Sequence, residues 1–143
     1  MPPLLVTAAI IRCEDRILLT RRPPHVRLGG WWEFPGGKLD EEESPQEGLR
    51  REIIEELGIE IEVGPIFEVV YYRYERGPVL IMAYECRQCD DRPIRNIEVC
   101  DHRWILPTQL DQFEILPADQ PIVEKLRISA IPGSEGQYAI TDF

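Results

Sequence analysis

Apolar and polar positions along this chain change period several times, and each change marks an element. Residues 4–12 are apolar and β-branched, Glu14-Asp15 reads as a turn, and the apolar pattern resumes over 16–22. This predicts a β-hairpin. Pro23-Pro24 ends it, and 23–38, with its prolines, glycines and Trp31-Trp32, predicts an ordered loop. Ser44-Pro45-Gln46-Glu47 is a capping box with proline at the first helical position. Leu49, Ile53 and Leu57 then recur every four residues, the buried stripe of a helix that Gly58 stops. Three strand-like runs follow, 59–63, 66–74 and 79–87. A further strand is expected over 98–106, a short helix over 107–113 and a last helix over 121–129. Residues 130–143 lack periodicity and carry Pro-Gly-Ser-Glu-Gly, so a loose tail is expected after one domain spanning 1–129.

Charge narrows the partners. A net charge of −10 repels duplex DNA and RNA, which argues against a polynucleotide ligand. A small anionic substrate stays open, because a divalent cation and a few local arginines override the overall field at short range. No apolar run approaches the ~18 residues of a membrane span. The N-terminus has no basic region followed by an apolar stretch, so the expected location is the cytoplasm. Cys86 and Cys89 have metal-ligand spacing, with Cys100 and His102 beyond, but the pattern matches no standard zinc finger. All four cysteines are read as reduced thiols.

The chemistry concentrates in the capped helix. Glu52, Glu55 and Glu56 lie at i, i+3 and i+4, within about 100° of the helix surface. Like charges at this spacing cost a few tenths of a kcal/mol each, beyond the helix midpoint where the macrodipole already disfavours them. A solvated acidic face explains a bare run of this kind. A hard divalent cation such as Mg²⁺, which takes carboxylates, water and substrate phosphate, explains it better once the upstream segment is included. Phe34-Pro35-Gly36-Gly37-Lys38 enters the helix through a glycine-rich turn, where backbone can approach a ligand closely. It is not a P-loop, because Leu39 follows Lys38 where Ser or Thr is required.

Taken together, Gly37, Glu43, Arg51-Glu52-Ile53, Glu55-Glu56 and Gly58-Ile59 stand at the spacing of a Nudix box. The chain resembles the Nudix hydrolases, and the MutT-like members in particular. Thr20-Arg21-Arg22, the run Trp32 through Lys38 and Leu116-Pro117-Ala118-Asp119 share that resemblance. The resemblance implies an α/β (α+β) Nudix fold, a central mixed β-sheet between helices with the loop–helix–loop of the box on one face. It implies Mg²⁺, with Mn²⁺ able to substitute, held by Glu52 and Glu56, by Glu55 directly or through water, and by the Gly36 carbonyl. Glu43 and Arg51 would pair and brace the helix. Glu98, six residues before Trp104, would be an added ligand or the base; Glu52 is the other candidate for that role. Arg22 and Lys38 are expected to contact phosphate, whereas Arg21 and Arg27 read as surface charge.

The implied reaction splits a nucleoside triphosphate into monophosphate and pyrophosphate, by a monomer or homodimer. MutT carries asparagine where Asp119 stands. An ionised aspartate only accepts hydrogen bonds, so it suits an exocyclic amine, as on cytosine, better than a carbonyl. An aspartate there also resembles the CTP pyrophosphohydrolase branch. A cytidine-type or oxidised nucleotide is therefore expected, 8-oxo-dGTP included, with Phe34 stacking on the base. Asp119 also reads as a helix N-cap ahead of Pro121, and both roles stay open. Two other classes compete: a Nudix hydrolase of ADP-ribose or a dinucleoside polyphosphate, and a non-catalytic nucleotide-binding module, against which the intact box counts.

Overall fold

The computed structural model describes residues 2–130. A mixed sheet lies between two helices. β1 (Leu4–Cys13) and β2 (Arg16–Arg21) form the expected hairpin, turning through Glu14 in the left-handed region. α1 (Pro45–Leu57) starts at Ser44, whose hydroxyl accepts from the Glu47 amide while the Glu47 carboxylate accepts from the Ser44 amide. Gly58, at φ 68°, ends it. α2 (Gln120–Ser129) closes the described chain, and the expected tail falls outside the described residues from 131 onward.

The stretch 23–38, expected as loop throughout, contains β3 (Trp32–Glu33) and β4 (Gly36–Lys38). Strands of two and three residues among glycines and a proline are too short to show a period of two. Their register comes from partners distant in sequence. β4 pairs antiparallel with β1 (Val6 to Lys38, Thr7 to Gly37, Ala8 to Gly36), and β3 pairs with β2. The two strand runs expected over 59–63 and 66–74 are one strand, β5 (Ile61–Tyr74). The ladder slips between Val63, Ile66 and Glu68. Pro65 has no amide hydrogen to donate there, so the strand bulges instead of ending. β6 (Gly77–Gln88) and β7 (Asp101–Ile105) follow, then short 3₁₀ turns at Pro107–Gln112 and Pro117–Asp119.

The order is β3-β2-β1-β6-β5, with β4 also on β1 and β7 on β2. Only β1–β6 is parallel among these pairings. Side chains alternate across the sheet. Ala8, Ile10, Ile17 and Leu19 pack with Ile122, Val123 and Leu126 of α2, whereas Ala9, Ile11 and Leu18 pack with Leu49, Ile53 and Leu57 of α1. Burial on both faces explains why β1 and β2 read as near-continuous apolar runs. Leu49, Ile53 and Leu57 are fully buried, and at about 1.5–3 kcal/mol each they fix the rotation of α1 about its axis.

Candidate active site

That fixed rotation decides where the acidic stripe goes. With Leu49 and Ile53 turned inward, Glu52 and Glu56 lie against β4 and with it line a cleft of about 520 Å³. The Gly36 amide donates to Glu56 Oε1 at 3.3 Å. A Cβ on Gly37 would stand 2.5 Å from the Glu52 carboxylate, and one on Gly36 would stand 2.1 Å from the Thr7 carbonyl oxygen. Gly37 therefore makes room for the Glu52 carboxylate, and Gly36 lets β4 lie against β1.

Arg51 ties this end together. Its Nε donates to Glu43 Oε2 at 2.7 Å and its Nη2 to Glu43 Oε1 at 3.0 Å and to the Lys38 carbonyl at 3.1 Å. Its Nη1 reaches Glu52 at 3.1 Å and Glu55 at 3.0 Å. This bracket pulls the Glu43 carboxyl down to about 2, chiefly through the Arg51 hydrogen bonds. Glu55 is drawn out of the cleft: it is 40% exposed, bonded to Arg51, and lines no part of the cavity. Glu98 stands in the loop before β7, exposed, its amide bonded to the Glu56 carbonyl at 3.2 Å. It lines an adjoining depression whose wall, Arg22, Glu33 and Glu56, is shared with the main cleft.

Among the described residues, no three His, Cys, Asp or Glu side chains already enclose a point where a metal would sit. That applies equally to Glu52, Glu56 and Glu98 and to Cys86, Cys89, Cys100 and His102. The acidic end nevertheless has the electrostatics of a cation site. Burial, then the charges of Glu33, Glu52 and Glu98, push Glu56 up to about 9. Burial raises Glu52 against the pull of Arg51, and burial raises Glu33 against the pull of Arg22. Several carboxyls disfavoured as anions by burial and by each other form a donor set that a hard cation relieves.

The other end of the cleft is built from distant segments. Asp119 is 5% exposed and accepts from the Phe34 amide at 3.2 Å through Oδ2. Burial, then the Glu33 charge, push its carboxyl up to about 7. It precedes α2 at the N-cap position yet makes no side-chain capping bond, so the capping alternative is corrected: the side chain turns inward instead. Phe34 lines the cleft but is only 3% exposed, its ring packed in the core and its amide holding Asp119. Lys38 lines the cleft, and Arg22 does so while bonded to Glu33 at 3.2 Å and to the Arg27 carbonyl at 2.8 Å.

A model of the NUDIX domain matches residues 6–125. The chain belongs to the NUDIX family. It is 35% identical to a CTP pyrophosphohydrolase of Escherichia coli K12, over 87% of this chain and 91% of that one. It is 28% identical to an 8-oxo-dGTP diphosphatase of the same organism, over 89% and 98%. The crystal structure of a MutT protein from Methanosarcina mazei superposes with a TM-score of 0.80 at 25% identity, over 90% of this chain and 95% of that one. This protein is thus a Nudix hydrolase of the MutT-like kind, and such hydrolases generally use a divalent metal. No helix among the described residues is long and apolar enough to cross a membrane.

Three lining residues of this Nudix cleft escaped the sequence reading. Glu33 sits inside the Trp32-to-Lys38 run that carries the Nudix resemblance, where its position offered a signal. Tyr74 ends a strand of mixed aromatic residues and lines the cleft, where its hydroxyl accepts from the Ala118 amide at 3.4 Å. Arg27, read as surface charge, is indeed exposed, and it also lines the cavity with its guanidinium over the Tyr74 ring.

Proposed function

We propose that this chain is a Mg²⁺-dependent nucleoside triphosphate pyrophosphohydrolase, converting a triphosphate and water into a monophosphate and pyrophosphate. Its expected substrates are cytidine-type or oxidised nucleotides. The observation that carries this reading is one continuous cleft with a carboxylate end, Glu52 and Glu56, and a buried acceptor end, Asp119. An anionic phosphate chain suits the first only with a cation present, and a base carrying an amine suits the second. The names of the two Escherichia coli relatives agree with a triphosphate substrate.

Glu52, Glu56 and the Gly36 carbonyl would hold the cation, with Glu98 reaching it from the adjoining depression. The bound ion would offset the phosphate charge and acidify an attacking water. Glu52 or Glu98 accepts the proton of that water. Arg22 and Lys38 line the cleft where phosphate oxygens would pass, and Arg51 with Glu43 keeps Glu52 aimed. Asp119 orients the base, so the scissile anhydride stands over α1.

The test is a turnover panel with Mg²⁺ on CTP, dCTP, 5-hydroxy-dCTP, 8-oxo-dGTP, ADP-ribose and a dinucleoside polyphosphate, with product identification. Release of pyrophosphate and monophosphate from a cytidine-type or oxidised triphosphate is expected. Preference for ADP-ribose or the dinucleotide, or no metal-dependent turnover, would refute the proposal.

A further inference from the structure

At the acceptor end of the cleft stands a cation that the chemistry at α1 does not use. The Arg27 guanidinium carbon lies 4.8 Å from the centroid of the Tyr74 ring, over its face. Among the described residues Arg27 forms no ion pair, as is also true of arginines 16, 21, 50, 73, 76 and 95; what sets it apart is its place over an aromatic ring in the cleft wall. Attraction to a π face is electrostatic and uses none of the five N–H donors of the guanidinium. Arg27 is exposed and lines the cavity, and among the described residues its guanidinium donates to no acceptor.

The placement is held by the backbone. Arg22 Nε donates to the Arg27 carbonyl at 2.8 Å, the Gly29 amide to the Val26 carbonyl at 3.0 Å, and the Gly30 amide to the Arg22 carbonyl at 2.9 Å. Leu28, at φ 57°, makes the turn that lets residues 27 and 28 both line the cleft. The loop has little slack, because a Cβ on Gly29 would stand 2.6 Å from the carbonyl oxygens of Pro23 and Pro24. Tyr74 links the cation to Asp119: its ring lies under Arg27 and its hydroxyl accepts from the amide of Ala118, next in sequence to Asp119. A donor fork and a buried acceptor thus flank one aromatic ring in the same cleft that Glu52 and Glu56 line.

We infer that Arg27 is a specificity-determining residue that donates to an acceptor on the nucleobase while Asp119 accepts from the neighbouring amine. This rests on the triphosphate reading above. A donor paired with an acceptor matches the edge of cytosine, where an exocyclic amine adjoins ring-nitrogen and carbonyl acceptors. It mismatches uracil, which presents an oxygen in place of the amine.

The experiment is steady-state turnover of CTP and UTP with Mg²⁺ by the wild type, Arg27→Ala and Arg27→Lys, with inorganic tripolyphosphate as a competitor lacking a base. For Arg27→Ala the KM for CTP is expected to rise about ten-fold or more while kcat stays within about two-fold. The KM for UTP and inhibition by tripolyphosphate should hardly move, so discrimination collapses. Arg27→Lys keeps a charge over Tyr74 and the melting temperature but loses the planar fork, and should lose most discrimination too. Equal KM increases for both nucleotides and the competitor would assign Arg27 to phosphate and overturn the inference. Unchanged constants, or a wild type indifferent between CTP and UTP, would overturn it as well. A wild type that splits no triphosphate would instead refute the activity itself, and the inference with it.

Discussion

The two ends of the cleft are built in opposite ways. The heart of the carboxylate end, Gly36, Glu52 and Glu56, comes from one stretch in which a glycine turn and a helix lie side by side, with Glu33 and Glu98 added from outside it. The acceptor end gathers Arg27, Phe34, Tyr74 and Asp119 from four separate places in the chain. At the first, helical geometry alone puts Glu52 and Glu56 on one face. At the second, nothing local relates the participants, and only the sheet and α2 bring them together. The same contrast holds in charge. At the carboxylate end burial and neighbouring like charges disfavour the anion, most of all at Glu56. The acceptor end is one buried acid held by a single backbone amide.

The sharpest way to break this division is at Glu52. Glu52→Gln removes the charge and keeps the shape, and kcat is expected to fall by roughly 10²–10⁴. Because burial already disfavours the Glu52 anion, the melting temperature without metal should hold or rise. Glu98→Gln, measured beside it, separates the two candidates for the base by which gives the deeper loss. Near-normal turnover in Glu52→Gln would remove the carboxylate end from the mechanism.

The division also explains what could be read in advance. The hairpin and α1 with both its caps are local or strongly patterned features, and the pairing of Glu43 with Arg51 followed from the Nudix resemblance. β3 and β4 were hidden because two- and three-residue strands owe their existence to β1 and β2. Glu55 followed the spacing of its neighbours, yet Arg51 drew it aside, a competition between hydrogen-bond partners that spacing does not encode. Asp119 carried two readings because an aspartate ahead of Pro121 suits a cap. The inward turn of its side chain depends on the Phe34 amide, 85 residues away. Arg27 and Tyr74 had no local signal at all.

A second test stays at the carboxylate end and uses two adjacent glycines. In Gly37→Ala the new methyl meets the end of a flexible side chain, the Glu52 carboxylate, which can swing away. Folding should survive while kcat drops on the order of 10²-fold, the scale for misplacing a catalytic group by about 1 Å. In Gly36→Ala the methyl meets the Thr7 backbone, which cannot yield without separating β4 from β1, so loss of soluble folded protein is expected. Equal behaviour of the two variants, by thermal melting and turnover, would contradict the distinct roles assigned to them.

At the acceptor end the expected effect is smaller and depends on pH. Asp119 has its carboxyl pushed from 3.8 up to about 7 in the folded state, so the folded chain holds a proton that the unfolded chain releases. Its contribution to stability is therefore fully present below about pH 4 and is lost as pH rises toward 7. Asp119→Asn cannot ionise, and its melting temperature relative to wild type should climb across that window by the equivalent of a few kcal/mol. It should also shift the order of preference among CTP, dCTP, 5-hydroxy-dCTP and 8-oxo-dGTP. A parallel pH profile for the two proteins would show that this carboxyl is not strained by burial. An unchanged preference order would take it out of base reading.

The mildest perturbation asks whether the helix that carries the carboxylates can be weakened without touching them. Ser44→Ala removes the hydroxyl that accepts from the Glu47 amide, and with it half of the reciprocal cap. A lost N-cap of this kind costs about 1 kcal/mol. Glu52 and Glu56 lie two and three turns further along, aimed by Leu49, Ile53 and the Arg51 bracket rather than by the first turn. The melting temperature should therefore fall by a few degrees while kcat and KM at moderate temperature stay within about two-fold. A drop in kcat as large as that of Gly37→Ala would mean that the first turn, not the packed stripe, sets the aim of the acidic face.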